Sequence, residues 1–173
     1  MIIDKIKNSI RNLPDFPKPG IQFKDITTLL QDTDVFQETI DIFYQQFKDK
    51  EIETVVGIES RGFIFAAPLA LKLGCRFVLA RKPGKLPGET IAEEYELEYG
   101  TDSIEMHKDA INDGDRVLIV DDLLATGGTA KAVGKLVNKL KGKIFSYCFL
   151  IYLKELNGLD ILLPESVFYL IDY

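Results

Sequence analysis

Four short runs of β-branched, aliphatic and aromatic residues punctuate the chain: ETVVGI from Glu53, RFVLAR from Arg76, RVLIVDD from Arg116 and KIFSYCFLIYL from Lys143. Each is apolar through its length rather than at every second position. A strand with one wet face alternates, so unbroken runs belong to strands covered on both faces, as in a parallel sheet. Between them lie stretches of helical periodicity, one from Gly62 to Leu73 stopped by Gly74, the other from Gly127 to Leu140 stopped near Gly142. In the second, Ala130, Val133, Leu136, Val137 and Leu140 share a face that Lys131, Lys135 and Lys139 avoid, so that face is expected against the sheet. The alternation predicts an α/β fold, an open, mainly parallel twisted sheet flanked by helices, with its ligand beyond the carboxyl ends of the strands.

Of the 173 residues 46% are apolar, enough for one buried core, and the chain reads as a single domain, 1–173. The opening MIIDKIKNSI carries Asp4 and Lys5 where a secretion signal would be apolar, so an amphipathic helix is expected there. The longest oily run, IFSYCFLIYL from Ile144, is too short to span a bilayer. The expectation is a soluble, cytoplasmic protein with no membrane partner. Cys75 and Cys148 stand alone in apolar segments, without a CxxC or a neighbouring His, which suits reduced, packed thiols. A net charge of −6 argues against nucleic acid as a partner, because phosphate backbones recruit basic faces. An anionic ligand would need a local cationic site.

Two segments break the alternation. NLPDFPKPGIQFKDITTLL gathers Pro14, Pro17, Pro19 and Gly20 around Phe16 and Phe23 and reads as a hood or flap over about 1–35. RKPGKLPGETIAEEYELEYGTDSIEMH begins with Pro and Gly and continues with Tyr95, Leu97 and Tyr99 alternating with glutamates. It is expected to be a polar loop running into a β-hairpin with its turn at Gly100 to Asp102, a flexible lid over about 81–107. His107, the sole histidine, falls on the return strand and is expected to be structural.

The stretch VLIVDDLLATGGT delivers Asp121 and Asp122 to the end of a strand and follows them with the turn Ala125, Thr126, Gly127, Gly128, Thr129 at a helix start. Glycine lets main chain approach a ligand closely, and the free N–H groups at a helix start favour a phosphate. The threonines add hydroxyl donors. Carboxylates beside a phosphate cradle suit a sugar phosphate: they accept from its hydroxyls or hold a hydrated Mg²⁺. The plainer alternative is that Asp122 caps the helix and the glycines form an ordinary turn. There is no GxxxxGK[ST] and no GxGxxG after a strand.

An acidic pair followed by Thr-Gly-Gly-Thr resembles the type I phosphoribosyltransferases. FPKPGIQFKDITTLL, ESRGFIFAAPLA, RKPGKLPGET, LEYGTD and VDDLLATGGT stand in the order and spacing of the adenine-using members, from Phe16 to about Leu153. The resemblance implies the type I fold, a homodimer, and transfer of ribose 5-phosphate from 5-phosphoribosyl 1-pyrophosphate (PRPP) to N9 of adenine, giving AMP and pyrophosphate with Mg²⁺. The metal is expected to be held mainly by substrate, with Asp121 and Asp122 reaching it through water.

The resemblance also implies the remaining roles. Glu59, Ser60, Arg61 and Gly62 present donors to pyrophosphate around a Glu59–Ser60 peptide that is often cis, and Arg81, Lys82 and Lys85 add cations, Arg81 toward the neighbouring subunit. Phe23 stacks on adenine with Leu123 on the opposite side, while Gln22 and Lys24 offer main-chain atoms. Many members have arginine where this chain has Lys24, so charge is kept and a bidentate fork is lost. Glu98 is the carboxylate that handles a proton near adenine N7. Two rivals remain at this stage: the same fold acting on hypoxanthine, xanthine or orotate, and a PRPP-sensing regulatory domain. The second would be expected to carry a DNA-binding segment or a basic face, and neither is present in the sequence.

Overall fold

The computed structural model describes residues 1–97 and 100–173 and divides into two compact units, Met1–Gln45 and Gln46–Tyr173. The first unit opens with helix α1 (Ile2–Ser9), the amphipathic helix expected from its charges, which buries Ile6. Strands β1 (Arg11–Pro14) and β2 (Gln22–Asp25) then pair antiparallel, and helix α2 (Thr27–Gln31) follows. Helix α3 (Thr33–Phe47), which the sequence reading did not separate from its surroundings, runs into the second unit.

Asp25 is the pivot of the first unit. Its carboxylate accepts from the Thr27 hydroxyl at 2.7 Å, the Thr27 N–H at 2.9 Å and Arg11 Nε at 3.0 Å, so it ties the first residue of α2 to β1. The Thr27 bonds first, then Arg11, hold its pKa down to about 2, against an ordinary 3.8. A depressed carboxyl stabilises the fold above its unfolded pKa, and that stability is lost as pH falls from about 4 through about 2. Asp25→Ala is therefore expected to cost about 1–2 kcal/mol at pH 7 and almost nothing at pH 2. Denaturant melts of both proteins across that range check it; a cost that does not change with pH would contradict the assignment.

In the second unit the strands β3 (Thr54–Ile58), β4 (Arg76–Ala80), β7 (Arg116–Leu124), β8 (Lys143–Tyr152) and β9 (Val167–Asp172) form a parallel sheet in the order β4-β3-β7-β8-β9. The four apolar runs are four of these strands, and all five residues of β3 are buried, as two-sided coverage requires. Helix α4 (Gly62–Leu73) has the predicted bounds, and its Gly74 stop is left-handed, with φ 68°. Helix α5 (Gly128–Lys139) buries Ala130, Val133, Leu136 and Val137, the predicted face, together with Ala132 and Gly134. Beyond β8 come a 3-10 turn (Lys154–Leu156) and the short helix α6 (Gly158–Leu162).

The strand order decides where a ligand goes. From β3 the chain moves outward to the edge strand β4, then returns to lay β7 on the other side of β3. Parallel connections that leave in opposite directions open a crevice between those two strands at their carboxyl ends. Glu59 follows β3 there, and Asp121 and Asp122 lie near the end of β7.

Strands β5 (Thr90–Glu96) and β6 (Thr101–His107) form the hairpin. The Leu97 N–H donates to the Gly100 carbonyl at 2.9 Å, and Thr101 and Asp102, expected in the turn, already belong to β6. The hairpin is anchored along its length. Tyr95, Ile104 and Met106 are buried in the same core as α5, and Glu93 accepts from Lys135 at 2.9 Å and Lys139 at 2.6 Å. His107 Nε2 lies 2.7 Å from the Pro87 carbonyl oxygen, a contact that ties loop to hairpin. Cys148 is buried, Cys75 is partly so, and both thiols are free.

Candidate active site

Register places Asp121 one residue beyond the last β3–β7 pair, Gly57 with Val120. Helix α4 begins directly against it: a Cβ on Gly62 would stand 2.8 Å from Asp121 Oδ1 and 2.9 Å from the Val120 carbonyl oxygen. Only glycine admits that approach, which brings the start of α4 onto the acidic pair. Arg61, the residue before the helix, sets Nε 2.9 Å from Asp122 Oδ2.

The two acids differ. Burial pushes the Asp121 carboxyl well above the ordinary range and the adjacent Asp122 charge pushes it further. Burial also raises Asp122, but the Arg61 guanidinium opposes it. Both acids therefore resist ionisation, Asp121 the more strongly, while at Asp122 the Arg61 guanidinium offsets part of the effect of burial.

Behind the acids, Ala125, Thr126, Gly127, Gly128 and Thr129 turn into α5 and line a cavity of about 100 Å³ together with Asp121, Leu123, Leu124, Ala130 and Phe149. Gly127 has φ 84°, so its left-handed bend turns the loop into the helix. The loop stands at the start of a twelve-residue helix, where main-chain N–H groups and the helix dipole favour an anion.

On the β3 side the Glu59–Ser60 peptide is cis, as the resemblance implied. The Glu59 carboxylate accepts the Lys82 N–H at 2.6 Å and Arg81 at 2.9 Å. Burial pushes this carboxyl up, but the Arg81 and Lys82 bonds outweigh it and, with the nearby charge of Lys85, hold it below the ordinary range. Glu59 therefore gathers Arg81, Lys82 and Lys85 at the root of the 82–89 loop.

Lys82 has a competing attachment that sequence reasoning missed. Its ammonium is held by the Asp102 carboxylate and by the Tyr95 hydroxyl, the latter at 2.8 Å, and these partners keep its pKa raised although burial lowers it. Arg81 is likewise bridged to Glu105 through main-chain bonds of 2.9 and 2.7 Å. These partners are far from Lys82 and Arg81 in sequence, and only the hairpin register brings them together.

In the first unit, Gln22, Phe23 and Lys24 lie on β2. Phe16 meets Phe23 edge to face at 5.1 Å. The side chains of Gln22 and Lys24 both bond Asn12, at 2.7 and 3.0 Å. Glu98 lies outside the described residues.

A strand-end acidic pair backed by a glycine-bent cradle defines a class, and the family model described as the phosphoribosyl transferase domain matches residues 25–161. Adenine phosphoribosyltransferase 1 of Triticum aestivum is 54% identical over 169 residues, covering 98% of this chain and 93% of its own. The crystal structure of adenine phosphoribosyltransferase from Thermoanaerobacter pseudethanolicus superposes with a TM-score of 0.96 at 50% identity, covering 99% of both chains. That of the Saccharomyces cerevisiae enzyme, complexed with an imino-altritol bisphosphate and adenine, gives 0.93 at 42% and covers 98% of both. The chain belongs to the adenine phosphoribosyltransferase family.

Proposed function

We propose that this chain salvages adenine: it transfers the 5-phosphoribosyl group of PRPP to adenine N9, forming AMP and releasing pyrophosphate. The observation that carries the reading is the acidic pair and glycine-bent loop at the sheet's switch point, in a chain 54% identical to a relative named for this reaction. In the reaction the C1′–O bond to pyrophosphate breaks with its electron pair leaving on oxygen, the C1′–N9 bond forms, and adenine gives up a proton. Positive charge grows on the ribose between those events, as in other glycosyl transfers.

Each group has a task in that sequence. The loop from Ala125 to Thr129 fixes the 5′-phosphate and so locates C1′. Asp121 and Asp122 accept from the ribose hydroxyls, and the resistance of Asp121 to ionisation eases as the ribose becomes cationic. Glu59 to Gly62 supply donors to the departing pyrophosphate, with Arg81, Lys82 and Lys85 as its counter-charges. Gln22, Phe23 and Lys24 are assigned to adenine, as is Leu123, and Glu98 handles the proton near N7. Closure of the lid region excludes water, the competing acceptor.

Magnesium enters as the counter-ion of PRPP. Among the described residues no three His, Cys, Asp or Glu side chains are grouped to hold a metal, and Asp122 already engages Arg61. These residues fit an ion carried by the substrate, reached by Asp121 and Asp122 through water. When bound, it would draw negative charge from the leaving pyrophosphate.

A homodimer is part of the proposal. It is supported by the outer side of α4 and β4, where Leu71 is 83% and Phe77 36% exposed and Phe63, Ile64 and Pro68 are half-buried. The protein is expected to sediment as a dimer at micromolar concentration. A monomer that stays fully active would rule out any contribution of Arg81 across an interface. Cytoplasmic residence is also proposed, supported by the two free thiols; among the described residues no helix is long and apolar enough to cross a membrane. Cell fractionation that finds the activity elsewhere would contradict it.

A further inference from the structure

We propose that the turn Asn157–Leu162, which lies outside all the motifs that mark the site, is the floor that shapes the phosphate loop, with Gly158 and Ile161 as positioning residues. The inference rests on the reading of Ala125 to Thr129 as a 5′-phosphate cradle. Loop and turn meet backbone to backbone. A Cβ on Gly158 would overlap the Ala125 carbonyl oxygen and stand 3.0 Å from Leu124 Cδ1, and a Cβ on Gly127 would overlap Ile161 Cγ2 and stand 2.8 Å from the Gly158 carbonyl oxygen. Two glycines, 31 residues apart, are thus needed for one contact.

The turn is itself held in place. Asn157 adopts the left-handed region with φ 52°, Leu162 is fully buried in the core, and the Leu153 N–H donates to the Leu124 carbonyl at 3.0 Å just before it. The Ala125 carbonyl and the Thr126 N–H are opposite ends of one rigid peptide. Pressing on the oxygen end therefore fixes the direction of an N–H in the cradle. Ile161 seats Gly127 in the same way, at the residue whose left-handed bend aims the loop into α5. Such a device acts on phosphate geometry without touching substrate, and positional errors near 1 Å can cost on the order of a hundredfold in related sites.

The test compares Gly158→Ala and Ile161→Ala with wild type by calorimetric titration of AMP, with the KM for adenine measured in the same preparations. The expected result is AMP affinity weakened about tenfold or more by Gly158→Ala and about threefold or more by Ile161→Ala, with KM for adenine within about twofold. Ile161 is 43% exposed, so its truncation is expected to leave melting nearly unchanged, and it decides the matter alone if Gly158→Ala fails to fold. Folded variants with wild-type affinity for AMP, or an equal loss toward AMP and adenine, would overturn the proposal. Wild-type protein that binds AMP but makes none from PRPP and adenine would sink the enzymatic reading while leaving this one to the affinities; wild type that binds no AMP overturns both.

Discussion

Replacing Asp121 and Asp122 together by asparagine is expected to lower kcat/KM for PRPP by at least about a hundredfold while the protein melts at or near the wild-type temperature. The activity loss follows from position, since both side chains stand at the ligand end of β7, where charge grows during the reaction. The stability expectation follows from the sign of the shift. A carboxyl whose folded pKa is raised is stabilising only when protonated, so its ionisation weakens the fold as pH climbs from the ordinary carboxylate value through the folded one. At neutral pH the change at Asp121 relieves that penalty. Against it stands the loss of the Arg61–Asp122 pair, whose arginine side chain is 35% exposed and can be resolvated, at about 1 kcal/mol or less. Steady-state kinetics with thermal melts read both; wild-type-like kcat/KM in the folded double variant would refute the assignment of the pair.

The second large effect concerns Glu98. Glu98→Gln keeps size and hydrogen bonding while removing acid–base function, and a general acid–base step is worth roughly a hundredfold or more. The single-turnover rate with enzyme in excess over adenine is expected to fall by about that factor while PRPP binding survives. The single-turnover format matters because lid opening and product release limit steady-state turnover in many such enzymes. If Glu98 served only as one more acid on a solvated hairpin, beside Glu94 and Glu96, the same change would alter stability by no more than about half a kcal/mol and leave the rate untouched. A drop smaller than about threefold would end its catalytic assignment.

What the sequence disclosed and what it hid divide along physical lines. Helix α4 was legible to the residue because its ends are chemical, Gly62 facing Asp121 at the start and the left-handed Gly74 at the close. The acidic pair and its turn were legible because strand, carboxylates and glycines are consecutive. Strand β9 was not: VFYLID is a run of six residues beginning three after Pro164, with no periodic helix before it to announce a crossover. The hairpin strands were seen in the alternation around Tyr95, but Thr101 and Asp102, expected in the turn, pair with Glu96 and Tyr95. The Lys82–Asp102 attachment and the Gly158 contact with Ala125 were invisible because both are set by register and packing between distant segments. Charge and glycine content mark such residues as unusual only after the fold supplies the partner.

Adenine salvage is tested most directly by the kcat/KM of wild-type protein with PRPP and Mg²⁺ for adenine, hypoxanthine, xanthine and orotate. AMP and pyrophosphate are expected in equal amounts with adenine, and with the other three bases kcat/KM should be lower by a factor of a thousand or more, because main-chain groups arranged for one base edge are left unpaired by another, on the order of 10⁴ in comparable hydrogen-bonding sites. A protein that binds PRPP without turnover of any base, or that uses another base as well as adenine, would contradict the assignment.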